Sequence, residues 1–452
     1  MSDEFSVESV YAELLGRAPE NKMEPRLAPL FRAMDVLGEP NRAFPIIHVT
    51  GTNGKTSTAR MIEAGLRAHG LSTGRYTSPH LSKVTERISI DGAPVPDETF
   101  VRIWDEIRPY LAIVDGELEA DGEPRLTYFE CLTILAFAVF ADQPVNVAVI
   151  EVGLGGITDA TNVGDGLVSV ITPISLDHTD LLGETTEEIA YEKAGIIKPG
   201  GFLVSAAQPT DAAQVLLEKA RDVDVPFRFE GVEFGVESRT VAVGGQVISI
   251  QGLAGRYQDL MVPLHGAHQA QNAAVAIAAL EAFFGGEKEL DFDLLQEAFA
   301  AVTSPGRLEV LRTAPTVLVD AAHNPEGIRV SAEAIDEAFS FSTLVPVVGI
   351  LREKDAAEIL VQLRDSLGKL ASEFCFTQST SPRAIPAAEL AELALELGFA
   401  EDSIHSTDKL DDALEWAVER AEANNDLAGG VLVTGSITLV AEARILLGKT
   451  EE

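Results

Sequence analysis

The chain has 452 residues, 46% of them apolar, which suits two or three domains with well-buried cores. Its 34 basic and 71 acidic residues leave a formal charge of −37, mostly a solvated acidic surface, which disfavours nucleic acid and anionic membranes and obliges any anion site to be assembled locally. No stretch approaches the ~20 apolar residues of a membrane span, the N-terminus MSDEFSVESVYAELL lacks a secretory pattern, and Cys131 and Cys375 have no metal-ligand spacing, so a cytoplasmic chain without a disulfide is expected.

The run FPIIHVT at 44–50 predicts a buried strand, GTNG a turn, and KTSTARMIEAGLRAHG a helix over 56–69. A phosphate loop needs that context: exposed amides wrap the phosphates, the helix N-terminus adds positive potential, and Lys55 bridges oxygens. Thr56 or Ser57 can offer a hydroxyl to phosphate or metal. The standard spacing has a glycine five residues before Gly54, where this chain has Val49. A bare tight turn is the alternative.

GRYTSPHL places Ser78 after a second strand, ahead of Pro79 and His80, and TERISI supplies Arg87. Taken singly, Ser78 is a loop hydroxyl and Arg87 a surface ion pair. A helix is predicted over 129–141. VNVAVIEV then predicts a strand that puts Glu151 at the C-terminal edge of a parallel sheet, where ligands sit; a paired buried carboxylate is the other reading. Gly153, Gly155 and Gly156 let backbone approach a ligand, and DATN follows at 159–162. The strand GLVSVITPI runs into SLDHTD and sets His178 at the same edge, although a lone histidine is more often structural. Hydroxyl, carboxylate and imidazole beside one phosphate loop suit Mg²⁺ ions already holding a triphosphate.

In a helix over 186–197, Lys193 of EKAGIIKPG reads as an exposed lysine or, if desolvated, as an amine able to capture CO₂ as a carbamate. After the strand GFLVSA, the flatter SRTVAVGGQVISIQG predicts an antiparallel excursion. A helix over 266–284 carries Asn272, which can hydrogen-bond an adenine edge or simply cap and pack. Small residues, proline and glycine in AVTSPGRLEVL mark a boundary: a first domain over 1–300, a linker over 301–307 and a second domain over 308–452. Arg307 on the linker reaches a triphosphate or forms a hinge ion pair.

The βα alternation restarts with TVLVDAAHNP, LVPVVGI, EFCFTQS and VLVTGS. Asp320 can bind ribose hydroxyls and His323 face a transferred group, while Asn324 before Pro325 caps the next helix. The expected class is α/β: a P-loop-type, mostly parallel sheet domain with helices on both faces, plus a smaller Rossmann-like C-terminal domain.

HVTGTNGKTS, TSPHL, ERI, TYFECLT, EVGLGG, DATN, DHTD, EKAGIIKPG, HQAQNA, PGR and DAAHNP follow one another in this order. With them the chain resembles the folylpolyglutamate synthases, often bifunctional as dihydrofolate synthases in bacteria, of the Mur ligase superfamily. The family's loop is GTNGK, without the earlier glycine. The resemblance implies ATP contacts from Asn53, Gly54, Lys55, Thr56, Ser57, Asn272, Arg307 and Asp320. It implies ligation of magnesium, as two ions, by Ser78, Glu151 and His178, and carbamylation of Lys193. Pterin or folate contacts are implied for Thr127, Tyr128, Phe129 and Glu130 and for Thr158, Asp159 and Ala160, with Glu24, Pro25 and Arg26 closing over the pterin. Phe129 offers a ring face and Glu130 an acceptor for a pterin amine, although an ordinary helix start reads the same. Arg87, His323 and Ser436 are implied for glutamate, and Lys55, Lys193 and His323 for catalysis.

One departure is GGITDAT where the family commonly reads GGRxDAT: Ile157 replaces an arginine and removes a charge near the substrate. The implied substrates are dihydropteroate, reduced folates, L-glutamate and ATP, with no nucleic-acid or membrane partner and a monomeric chain. The rival within the ligases is a cell-wall amino-acid ligase, which usually carries a nucleotide-sugar domain ahead of the loop, where only ~45 residues stand here. The rival of another class is an ATP-driven switch or binding module.

Overall fold

The computed structural model describes residues 6–19, 26–423 and 428–449. The chain divides into two compact units: Met1–Ser238 with Ser249–Leu260 and Gln271–Val302, and Arg239–Ile248 with Met261–Ala270 and Thr303–Glu452.

The first unit is built on eight strands: β1 Ile46–Thr50, β2 Thr73–Tyr76, β3 Ile88–Ile90, β4 Ala93–Pro94, β5 Val147–Glu151, β6 Gly166–Ile171, β7 Phe202–Ser205 and β8 Phe227–Phe229. Their order is β4-β3-β2-β5-β1-β6-β7-β8. Six run parallel, from β2 to β8, and β3 and β4 pair antiparallel at one edge. β1 and β5 are buried along their whole length, which is why both read as unbroken apolar runs. The chain leaves β1 for β2 on one side and returns through β5 to β6 on the other. The loops after β1, β2, β5 and β6 therefore leave one edge of the sheet around a switch point.

The helix Tyr128–Asp142 packs into the core of this unit and is apolar nearly all round, as a buried helix must be. The sequence reading names no element over 97–120, where the structure has the 24-residue helix Asp97–Ala120. Pro109 lies inside that helix, where a local reading expects a break.

Three further strands, β9 Gly235–Ala242, β10 Gly245–Gln251 and β11 Arg256–Val262, form a separate sheet where the antiparallel excursion is predicted. The division into units passes through it. Segments 239–248 and 261–270, assigned from sequence to the first domain, belong with the second unit. The physical reason is in their partners: Arg239 pairs with Glu337 of the helix Pro325–Ala338, and Gln246 Nε2 donates to the carbonyls of Leu264 and Gly266 at 2.9 Å each. Pro305 and Gly306 report a local turn, not which earlier strands pack with the later ones.

The second unit holds β12 Glu309–Thr313, β13 Thr316–Asp320, β14 Thr343–Val348, β15 Phe374–Phe376, β16 Ile404–Ser406 and β17 Gly429–Thr434. They are ordered β12-β13-β17-β14-β15-β16, all parallel except β12. Asp320 and Thr434 end adjacent strands in register, so the loops carrying His323 and Ser436 leave the same edge.

Candidate active site

β1 delivers the loop 51–54 into the helix Lys55–Ala68. Gly54 has φ 87°, and a Cβ there would lie 2.5 Å from Asn272 Oδ1, so only glycine fits both the turn and its neighbour. Asn272, buried on the helix Ala267–Phe283, is thereby placed against the loop. Lys55 Nζ donates to the carbonyls of Gly51 and Thr52 at 3.0 and 3.1 Å. Thr56 Oγ1 lies 3.0 Å from both carboxylate oxygens of Glu151, which is 1% exposed. Asn53 and Ser57 stand in the same turn and first helical turn.

Lys193 is not the exposed lysine of the ordinary reading. It ends the helix Thr186–Lys193, is 4% exposed, and donates to Gly51 O at 2.9 Å. Burial first, and the charge of Lys55 second, push its ammonium down to about 7. Lys55, Thr56, Glu151, Lys193 and Asn272 thus surround one loop.

Ser78 follows β2 and His178 follows β6, on loops from the same edge as Glu151. His178 has φ 51°, its N–H donates to Asp177 Oδ1 at 2.9 Å, and its ring is 34% exposed. This donor set is hard and oxygen-rich, and Glu151 is buried with a hydroxyl partner. It fits Mg²⁺ that takes its remaining ligands from phosphate and water.

The loop after Ser78 is held by two successive residues. Glu86 accepts from the amides of Leu81, Ser82 and Lys83 at 2.8, 2.8 and 2.5 Å. Arg87, 3% exposed, donates from Nε to His80 Nδ1 at 2.9 Å and stacks its guanidinium 5.4 Å from the Tyr128 ring centroid. It is not a surface ion pair. Because His80 Nδ1 accepts, Nε2 carries the proton and faces Tyr11 Oη at 3.5 Å. Burial, then Arg87, drops the His80 pKa to about 3. Sequence reasoning missed Glu86, and no capping pattern points to it, because Lys83 three residues earlier has no acceptor to offer a helix start.

The loop after β5 is organised by Asp159, 2% exposed. It accepts from Leu154 N at 2.9 Å, Thr161 N at 3.0 Å and Thr161 Oγ1 at 2.5 Å. Burial still pushes this carboxyl above its ordinary value. Thr161 Oγ1 in turn accepts from Nε2 of His48 on β1 at 2.9 Å, and Thr50 Oγ1 donates to Gly155 O at 2.9 Å. His48 and Thr161, to which the sequence reading assigns no role, tie β1 to the loop of Thr158, Asp159 and Ala160. Ile157 is fixed through its backbone: its N–H donates to Glu192 O at 3.0 Å and its carbonyl accepts from Asn162 Nδ2 at 2.9 Å.

Thr127 and Glu130 form a reciprocal cap on the helix Tyr128–Asp142: Glu130 N donates to Thr127 Oγ1 at 3.2 Å and Thr127 N to Glu130 Oε2 at 2.7 Å. Phe129 is buried 6.1 Å from the Tyr76 ring. Arg26 reaches the Glu130 carboxylate, while Glu24 and Pro25 lie outside the described residues.

In the second unit Asp320 accepts from Leu308 N at 2.8 Å, Ala322 N at 2.9 Å and Ser331 Oγ at 2.8 Å. Its carboxylate shapes the turn after Arg307, whose own N–H donates to Ser304 O at 3.1 Å. His323 Nδ1 contacts Ala321 O at 2.9 Å, Asn324 caps the helix Pro325–Ala338, and Ser436 caps the helix Ile437–Leu446.

The Mur ligase middle domain matches residues 49–280, and the Mur ligase glutamate ligase domain matches 306–437. A dihydrofolate synthase/folylpolyglutamate synthase of Mycobacterium tuberculosis is 45% identical across 96% of this chain and 92% of that protein. The chain belongs to the dihydrofolate synthase/folylpolyglutamate synthase family. A folylpolyglutamate synthase of Lacticaseibacillus casei is 35% identical across 92% of this chain and 93% of its own. Among solved structures, the M. tuberculosis folylpolyglutamate synthase complexed with ADP superposes with TM-score 0.93 at 44% identity, covering 99% of both chains. The Escherichia coli FolC complex with DHPP and ADP superposes with TM-score 0.82 at 28% identity, covering 98% of this chain and 97% of that one. The expected α/β class and Mur ligase architecture are those of this folylpolyglutamate synthase family.

Proposed function

We propose that this folylpolyglutamate synthase family member is an ATP-dependent ligase that joins L-glutamate to dihydropteroate, to the γ-carboxylate of a reduced folate, or to both. The observation that carries the reading is the convergence of Lys55 and Lys193 on Gly51, beside the Thr56–Glu151 contact. A phosphate loop is wired there to a buried acid and to a lysine whose proton is easily lost.

A carboxylate is a poor electrophile. Transfer of the γ-phosphoryl group makes an acyl phosphate, the glutamate amine attacks it, and phosphate leaves from the tetrahedral intermediate. Lys55 and the loop amides hold the transferred group in line, and the Asn272 amide meets adenine. Ser78, Glu151 and His178 hold the magnesium, which when bound neutralises triphosphate charge. Lys193 loses its ammonium proton to water, its neutral amine bonds to CO₂, and the carbamic acid formed releases a second proton, so a buried cation is replaced by an anionic carbamate. The loops of Thr127–Glu130 and Thr158–Ala160 receive the pterin or folate. Arg307 and Asp320 are assigned to nucleotide, and Arg87, His323 and Ser436 to glutamate. The proposed species is a monomer in the cytoplasm. Among the described residues no helix is long and apolar enough to cross a membrane.

The test is purified protein with ATP, Mg²⁺ and labelled glutamate, offered dihydropteroate and tetrahydrofolate in turn, with product mass read by mass spectrometry. Glutamyl addition to either acid is expected. Release of ADP with no glutamyl adduct on any pterin acid would instead favour the ATP-driven switch.

A further inference from the structure

Arg26 and Glu130 make a side-on fork. Nε donates to Oε1 at 3.1 Å and Nη2 to Oε2 at 3.2 Å, with the arginine side chain 13% exposed and the glutamate 3%. Two parallel N–H donors on one carboxylate form a strong and directional pair. A 2-amino-4-oxo pyrimidine ring, the recognition edge of any pterin, presents the same two-donor edge through its ring N–H and its amino group. The guanidinium therefore stands on Glu130 as an internal copy of that edge.

We propose that Arg26 occupies the place of the pterin edge on Glu130 until substrate displaces it, so that Arg26 sets the apparent affinity for the pterin acid. This rests on the assignment of Glu130 to the pterin. A buried carboxylate without a donor is strongly unfavourable, so Glu130 is paired in both states, with Arg26 in one and with the ring in the other. Thr127 N–H, 2.7 Å from Oε2, keeps the carboxylate aimed throughout the exchange.

The displaced guanidinium has partners to receive it. Nη1 and Nη2 already donate to the carbonyls of Pro124 and Arg125 at 2.8 Å each. Nη1 also lies 3.9 Å from Glu123 Oε2, a half-exposed acid that offers a wetter ion pair than Glu130. A benzoyl-glutamate acid lacking the pterin ring has no donor pair with which to displace Arg26, so the exchange also selects for the ring.

The experiment compares the KM for dihydropteroate and for tetrahydrofolate in the full-length wild type, Arg26→Met and Glu123→Gln, with the KM for ATP as internal control. If Arg26 covers Glu130 for about 70–90% of the time, its removal lowers the pterin KM roughly three- to tenfold. Glu123→Gln removes the alternative partner and raises it. Arg26→Lys, which keeps the charge but lacks the fork, gives a value between wild type and Arg26→Met. A pterin KM unchanged or raised in Arg26→Met, the result for a residue that simply grips substrate or supports the helix, overturns the proposal. Wild type that forms no glutamyl product overturns the ligase reading itself, and is a separate result.

Discussion

Lys55 and Lys193, far apart in the chain, donate from their Nζ atoms to one acceptor, the carbonyl oxygen of Gly51, at 3.0 and 2.9 Å. Two ammonium groups on one carbonyl repel each other, and the buried one yields its proton first.

Lys193 is accordingly expected to titrate near neutrality. With its value pushed down to about 7, the neutral amine is the minor form at pH 6 and the major form at pH 8. Carbamate forms only from neutral amine, so both kcat and the carbamate signal from isotope-labelled bicarbonate should rise through this window. Lys193→Arg, charged throughout, should lose the signal and about 100-fold in kcat. Lys55→Met should move the titration upward, since one repelling charge is gone. A carbamate signal independent of pH would count against this account.

His48 makes a prediction about acid stability. Burial, then the charge of Lys198, holds its pKa at about 3, below the ordinary 6.5. The unfolded chain therefore takes up a proton that the native state refuses between about pH 6.5 and 3. This contribution to stability is complete above pH 6.5 and is lost as pH falls, at up to ~1.4 kcal/mol per pH unit. His48→Gln keeps an N–H donor for Thr161 but cannot ionise, so its melting temperature should fall less steeply from pH 6.5 to 4.5 than that of wild type. Parallel slopes would show that His48 is not the group responsible.

Glu86 should matter to turnover although it is assigned no contact with substrate. Glu86→Gln keeps the size but cannot accept from three amides with the same strength. We expect about 1–3 kcal/mol of lost stability and a fall in kcat of roughly tenfold, because the Ser78 loop is less well positioned. The KM for ATP should change less than kcat. Differential scanning calorimetry and steady-state kinetics check the two parts, and wild-type kcat in a folded variant would remove Glu86 from the argument.

On the sequence reading Asp320 can bind ribose hydroxyls, yet its carboxylate accepts from Leu308 N, Ala322 N and Ser331 Oγ. Asp320→Ala leaves those donors without their acceptor and should cost about 2–4 kcal/mol of stability. Asp320→Asn, which retains one acceptor oxygen, should lose less. Chemical denaturation that finds both variants as stable as wild type would make Asp320 a binding residue alone.

The sequence by itself determined the central buried strands, the turn between β1 and its helix, and the order of the motifs. These rest on local physics: unbroken apolar runs for strands buried on both faces, glycine where φ is positive, and capping residues at helix starts. The Asn324 cap and the Gly54 turn are legible for that reason. Only the tertiary structure decided where charges went. Lys193 proved buried against Gly51, Arg26 proved to sit on Glu130, and Glu86 and His48 proved to organise loops. It also assigned residues 239–248 to the second unit. The Lys193 and His48 contacts depend on which strand ends are neighbours. The order β2-β5-β1-β6 sets that neighbourhood through contacts between distant segments, and no local pattern in the chain encodes it.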